Sequence, residues 1–189
     1  MEDEERQRDL RRFQVLYDAH HGALVAYAHR RTATLVDAQD VVADTFTIAW
    51  RRLPEVPEGD AALPWLYGVA RRVLANQRRG NSRRADLTAR LRGQRSLAPE
   101  VEGQVVAGDE RRTVLAALSR LRPADQEILR LAVWEELPHR DIAGIVGCSE
   151  SSVAVRLHRA RTRLGREIGK EERRVGQETF GGRAEGNEG

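Results

Sequence analysis

Three aspartates near residue 40 have a spacing that could support hydrolytic chemistry. On a helix, Asp40 and Asp44 share a face, as the paired metal ligands of a nuclease or recombinase would. The sequence places no nucleophile or acid–base partner beside them, and Asp37 is better explained as a helix N-cap. We therefore predict that the chain is not an enzyme and has no catalytic residue, metal site or other cofactor.

The single cysteine limits redox and metal chemistry. Cys148 has no second cysteine to pair with, and no Cys/His set has the spacing of zinc ligands. A redox switch at Cys148 is one hypothesis, and a small residue in a turn is the other. Because its neighbours form a turn motif, we favour the turn residue.

The sharpest motif lies in residues 139–164, HRDIAGIVGCSESSVAVRLHRARTRL. Two helices that cross tightly need a small residue in the first, here Ala143, and a turn residue that tolerates positive φ, here Gly147. Ser149 can cap the second helix. The predicted apolar anchors between the helices are Ile142, Val146, Val153 and Leu157. This pattern predicts a helix-turn-helix that inserts its second helix into the DNA major groove.

The second helix of this motif is basic and polar outside its apolar stripe. Arginine can bind phosphate oxygens or grip guanine with two hydrogen bonds, and serine hydroxyls at a helix N-terminus suit phosphate or base edges. The alternative is a plain helical hairpin with a basic surface. The predicted DNA-binding residues of this helix are Ser151, Ser152, Arg156, His158, Arg159 and Arg163.

Helices must position these residues, because the composition favours helix over sheet. Leu, Ala, Val, Arg and Glu dominate, and 5% of the chain is aromatic. The net charge is only +3, but nine arginines lie within residues 71–95 against one acid, Asp86. A second basic cluster lies in the last helix. Two such clusters indicate two patches for a polyanion.

Apolar periodicity predicts an all-α chain with two small helical domains joined by a flexible linker. The first domain spans 10–80, with a first helix over 9–31 and a break expected near Gly22, a second helix that Asp37 caps, and a third from about Pro64. The linker spans 81–109. The second domain spans 110–168, and the tail 169–189 is predicted to be disordered. An extended linker of ~30 residues reaches roughly 100 Å, which is enough for two DNA-binding domains to contact separate sites.

Three stretches carry a resemblance to a known family. DAQDVVADTFTIAWRRL is similar to the core-binding helix of extracytoplasmic-function (ECF) sigma factors, and LPWLYGVARRVLANQRR resembles the helix that follows it. The run from LSRLRPADQEILRL to RLHRARTRL resembles their C-terminal domain. The order and separation of the stretches also match, over roughly residues 10–168. Arg72, where the family often has Asn, and Ala154, where it often has Lys, depart from the pattern.

The resemblance implies a promoter-reading subunit of bacterial RNA polymerase. Domain 10–80 would bind core polymerase through Asp40, Asp44 and Thr45, and loop 53–63 would capture a base flipped from the minus-ten element. Domain 110–168 would read the minus-thirty-five element. The partners implied are core RNA polymerase, promoter DNA and an anti-sigma factor. The residues implied to contact minus-ten DNA are Arg71, Arg72, Asn76, Arg78 and Arg79.

Two further expectations concern location and the competing function. No apolar run approaches the ~20 residues that span a bilayer, and the acidic N-terminus is unlike a signal peptide. We therefore predict no membrane insertion and a place in the cytoplasm, at the nucleoid. The alternative function is a stand-alone helix-turn-helix regulator that binds DNA without polymerase. The acidic face at residues 37–44 argues against it, because that face does not suit DNA.

Overall fold

The computed structural model describes residues 2–92 and 109–181, and in these ranges the chain forms helices and turns without strands. The chain divides into two compact units, Met1–Gly103 and Gln104–Gly189. The predicted all-α class with two helical domains is confirmed. None of the described helices is long and apolar enough to cross a membrane.

The first unit packs three helices together: α1 (Glu2–His29), α2 (Leu35–Arg51) and α3 (Ala62–Arg92). Two short 3-10 helices, Leu53–Glu55 and Gly59–Ala61, join α2 to α3. Helix α1 is continuous, so the break expected near Gly22 is absent. Packing against α2 and α3 outweighs the cost of about 1 kcal/mol for a glycine inside a helix. The buried apolar residues of α1 include Leu16, Leu24, Tyr27 and Ala28.

Helix α2 starts earlier than the sequence suggested. Thr34, not Asp37, is the N-cap: the Thr34 hydroxyl oxygen accepts the Asp37 N–H at 3.1 Å. That hydroxyl also donates to Asp37 Oδ2 at 2.7 Å, so the aspartate supports the cap from inside the first turn. A carboxylate there is also favoured by the helix dipole. The N-cap predicted at Asp37 was therefore wrong by one helical turn.

Helix α3 turns an apolar stripe toward the core of the first unit. Its five apolar members are all buried: Leu66, Val69, Ala70, Val73 and Leu74. The helix continues through residue 92, so the first part of the predicted linker, 81–92, is helical. The rest of that linker, 93–108, lies outside the described residues.

The second unit contains α4 (Asp109–Ser119), α5 (Pro123–Val133), α6 (His139–Val146) and α7 (Glu150–Gly181). Each of the first three packs on α7. Helix α6 starts at His139, the first residue of the predicted motif, and α7 starts at Glu150, directly after the predicted cap Ser149. The core of this unit includes Leu118, Leu121, Ile128, Leu131, Ile142, Val153, Leu157 and Ala160.

The disordered tail predicted from Gly169 was wrong up to Gly181, because α7 continues to that residue. Arg120 Nη1 lies 2.5 Å from Oε2 of the buried Glu171, and the two side chains form an ion pair. Lys170 and Glu167 form a further pair at 2.6 Å, one turn apart. These contacts hold a polar segment in a helix. Residues 182–189 lie outside the described residues.

Candidate nucleic-acid interface

The turn between α6 and α7 has the geometry that the motif predicted. Gly147 lies in the left-handed region at φ 74° and ψ 48°. Its N–H and that of Cys148 both donate to the Ala143 carbonyl, at 2.9 and 3.1 Å, which closes the end of α6. The Ser149 hydroxyl oxygen then accepts the Ser152 N–H at 3.2 Å and caps α7. Residues 147–149 thus supply hydrogen bonds both for the end of α6 and for the start of α7.

Four predicted DNA-contacting residues fall on one face of α7, because positions 152, 156, 159 and 163 recur every three or four residues. Arg156 and Arg159 are exposed and have no acid partner among the described residues. Arg163 differs, since its Nη1 lies 2.5 Å from Asp125 Oδ2 at the start of α5. We name this row Ser152, Arg156, Arg159 and Arg163 the α7 basic face.

The remaining polar residues of α7 have more local roles. The Ser149 hydroxyl shares hydrogen bonds with those of Ser151, at 3.1 Å, and Ser152, at 2.8 Å. His158 is exposed, and its carbonyl accepts the Thr162 hydroxyl at 3.1 Å. The serine hydroxyls therefore stabilise the start of α7, and those of the exposed Ser149 and Ser151 have further lone pairs that could accept hydrogen bonds.

The basic residues predicted on α3 form two neighbouring rows. Arg72, Asn76 and Arg79 share one face, and the side-chain Oδ1 of Asn76 accepts a hydrogen bond from Arg79 Nη2. Arg71 and Arg78 share the next face, about 100° round the helix axis. Arg78 Nη2 also donates to the Arg31 carbonyl at 3.3 Å, at the end of α1. Arg72, Asn76, Arg78 and Arg79 are exposed, and Arg71 is partly buried.

A groove of about 540 Å³ lies between α1 and the segment that joins α2 to α3. Apolar residues line most of it, including Leu16, Leu53, Val56 and Leu63, with a few polar side chains at its edge. Arg12 Nη2 donates to the Val56 carbonyl at 2.7 Å and fixes the segment against α1. Burial lowers the pKa of His20, which also lines the groove. The groove thus offers apolar contact area beside an arginine that a hydrogen bond holds in place.

The acidic residues of α2 point to solvent, but Thr45 does not. Asp37, Asp40 and Asp44 are exposed. Thr45 has 0% exposure, and its hydroxyl donates to the Val41 carbonyl at 2.6 Å. The Thr45 side chain is therefore enclosed in the core of the unit, and the structure gives no support for its predicted role in binding a partner. Among the described residues, no group of acids, histidines or cysteines could hold a metal ion.

Aromatic residues in the first unit pack on one another. Trp50 meets Phe13 edge-to-face at 5.2 Å between ring centroids, and Tyr17 lies 4.7 Å from Phe46. Trp50 remains 40% exposed, so this packing covers only part of its ring. The sequence did not reveal a second arrangement, in which Tyr27 stacks on Tyr67 at 4.6 Å and the Arg31 guanidinium lies 3.6 Å above Tyr27.

Family comparisons cover both units. The model described as Sigma-70 region 2 matches residues 16–84, and the model described as Sigma-70, region 4 matches residues 111–164. Two solved structures share the fold. The sigma factor RpoE in complex with the anti-sigma factor NepR from Bartonella quintana has a TM-score of 0.64 and 24% identity, covering 83% of this chain and 96% of that one. CnrH in complex with the cytosolic domain of CnrY has a TM-score of 0.58 and 21% identity, covering 84% and 88%.

Sequence relatives give the same family. The ECF RNA polymerase sigma factor SigL of Mycobacterium tuberculosis H37Rv is 33% identical over 156 residues, which is 77% of this chain and 82% of SigL. The RNA polymerase sigma factor YlaC of Bacillus subtilis is 29% identical over 164 residues, covering 85% and 95%. A stand-alone regulator is not favoured by matches that span both units. The chain therefore belongs to the sigma-70 family, as an ECF sigma factor that directs promoter recognition by RNA polymerase.

Proposed function

We propose that the chain binds core RNA polymerase through α2, contacts minus-ten DNA through α3 and the neighbouring groove, and reads minus-thirty-five DNA through α7. Division of this work between two units would let one chain contact two separated DNA sites. As a regulatory subunit, it would supply recognition and strand opening, and the polymerase would supply catalysis. Its place of action would be the cytoplasm, at the nucleoid, where core polymerase and promoters are found.

Exposed acids on a well-anchored helix support the polymerase contact. Asp40 and Asp44 lie on the solvent side of α2, whose opposite side is held by Val41, Val42 and Phe46 in the core. A rigid backbone presents both carboxylates at fixed positions, so little conformational entropy is lost when a basic partner binds. Thr45 belongs to the buried side, and the proposed contact no longer includes it.

Two features of the first unit support contact with minus-ten DNA. The rows of basic residues on α3 can neutralise phosphates, and the groove beside the joining segment 53–63 can receive a single unstacked base. Unstacking costs a few kcal/mol, which apolar contact and polar groups at the rim would offset. The α3 residues proposed for this contact remain Arg71, Arg72, Asn76, Arg78 and Arg79.

The single observation that carries the proposal for the second unit is the fixed turn at Gly147, followed by the exposed Arg156 and Arg159. A helix held in this way can enter the major groove with its N-terminal half first. Ser151, Ser152 and His158 would then contact phosphates or base edges near that end. Arg163, although predicted from the sequence, is left out of the proposed contact, because Asp125 already binds it.

We also propose that an anti-sigma factor regulates the chain. This rests on the two solved complexes named above, in which proteins of this fold are bound by NepR, an anti-sigma factor, or by the cytosolic domain of CnrY. At 24% and 21% identity, the likeness of this chain to the two sigma factors is one of fold.

Run-off transcription with core polymerase and a library of randomised promoters tests the proposal. We expect wild-type holoenzyme to select two conserved elements. Arg156→Ala and Arg159→Ala should alter or weaken the upstream element only, and Arg72→Ala the downstream element only. Arg51→Ala, an exposed arginine at the end of α2, is the matched control. Selection of the same two elements by all variants would contradict the assignment.

A further inference from the structure

The α7 basic face ends in an arginine that the protein itself neutralises. Arg163 lies seven residues beyond Arg156, about 10 Å along the helix. Its Nη1 is 2.5 Å from Asp125 Oδ2, and the two side chains are 44% and 14% exposed. Arg156 and Arg159 have no such acid among the described residues. The arginines without an acid partner therefore lie in the N-terminal part of the face, and the arginine that an acid neutralises lies at its C-terminal end.

Asp125 is well placed to hold this arginine. It lies in the first turn of α5, where the partial positive charge of the helix end favours a carboxylate. Its backbone N–H donates to the Arg122 carbonyl at 2.9 Å, which fixes the start of the helix. A largely buried carboxylate on a fixed turn loses little entropy when it pairs, so it competes better for the guanidinium than a mobile surface acid would.

We propose that Asp125 is a specificity-determining residue: by binding Arg163 it withholds one cation from DNA phosphates and so limits sequence-independent binding by α7. Arginine–phosphate contacts raise affinity for every DNA sequence alike, whereas base contacts separate one sequence from another. Removing one phosphate contact from the face therefore lowers background binding without loss of base reading by Arg156 and Arg159. This inference rests on the proposed DNA contact of α7.

The salt dependence of DNA binding tests the proposal. The full-length chain is titrated onto a fluorescent duplex of random sequence at 50–200 mM salt, and anisotropy gives the slope of log K against log salt. Asp125→Asn should bind the duplex more tightly than the wild-type chain and steepen the slope by about 0.9. Between 50 and 200 mM salt, its affinity should therefore fall by a factor roughly 3.5 times larger than that of the wild-type chain. Arg163→Gln should leave the wild-type slope unchanged. The double variant should return to the wild-type slope.

A matched control removes the same charge elsewhere in the unit. Glu172 is exposed on α7 and has no ion pair among the described residues, so Glu172→Gln changes the net charge as Asp125→Asn does without freeing an arginine. Any effect of net charge alone would appear equally in both. Hydrogen exchange of α5 and α7 checks that each variant keeps its fold.

The outcomes separate this inference from the function on which it rests. If Arg156→Gln makes the salt slope shallower but Asp125→Asn does not make it steeper, the α7 contact stands and the role of Asp125 is refuted. If Arg163→Gln makes the salt slope shallower in the wild-type background, Arg163 already contacts phosphate and the proposal is also refuted. If the wild-type chain does not bind the duplex, or Arg156→Gln has no effect, the DNA contact of α7 itself fails.

Discussion

Replacing Gly147 by alanine should destabilise the helix-turn-helix through backbone conformation alone. The residue sits at φ 74°, and a Cβ added there would meet no atom within 4 Å. Steric clash with neighbours therefore contributes nothing, and the cost is that of a non-glycine residue in the left-handed region, roughly 1–2 kcal/mol. Asparagine tolerates that region better, so Gly147→Asn should lose less.

Gly144 provides a matched control on the same helix. It is also exposed, and a Cβ there would likewise meet no atom within 4 Å, but it lies inside α6 with helical geometry. Alanine is favoured over glycine in a helix interior by roughly 0.5–1 kcal/mol. The same chemical change should therefore destabilise at one position and stabilise at the other, three residues away.

Hydrogen exchange of amides in α6 and in the first turns of α7 gives the local free energy of opening. Gly147→Ala should speed exchange by a factor of about 5–30, which corresponds to 1–2 kcal/mol, and Gly144→Ala should slow it. If the two variants shift exchange in the same direction, or Gly147→Asn is as damaging as Gly147→Ala, the reasoning from the turn geometry is refuted.

Three more predictions concern other parts of the chain. Ser149→Ala should remove the cap of α7 and cost about 1 kcal/mol, measured by exchange of the Ser152 and Val153 amides, with Ser149→Asp restoring it. Arg120→Gln should leave the buried Glu171 carboxylate without its ion pair and cost about 1–2 kcal/mol, seen as faster exchange in 165–174 but not in α6. Burial lowers the pKa of His20, so the first unit should lose stability as pH falls below about 6.5; His20→Gln should reduce that loss in urea titrations, and an unchanged pH dependence would contradict it.

Local signals in the sequence were enough to predict the helices and the turn. Pro123 at a helix start and Gly147 at positive φ act through their own backbone, and Ser149 acts through its hydroxyl on an amide three residues later, so residue type alone indicates geometry. The apolar stripe of α3 was equally clear, because helical periodicity of Leu and Val is independent of the partner helix.

Features set by distant residues could not be predicted. The end of α7 was placed near Ile168 because the following segment is polar, whereas pairing of Glu171 with Arg120, fifty-one residues earlier, lies outside any local window. Thr45 was grouped with Asp40 and Asp44 by resemblance, although its position one residue beyond Asp44 turns it about 100° toward the core. The pairing of Arg163 with Asp125 was likewise invisible, since basic residues in a helix do not indicate which acids they meet.

The central claim is that the exposed acidic side of α2 joins this chain to core RNA polymerase. Association of the labelled full-length chain with purified core polymerase, followed by anisotropy, measures it directly. We predict saturable binding that Asp40→Arg with Asp44→Arg greatly weakens, while Thr45→Val, which changes the buried side of the same helix, leaves it nearly intact. Absence of binding by the wild-type chain, or equal binding by the charge-reversed variant, would contradict the account.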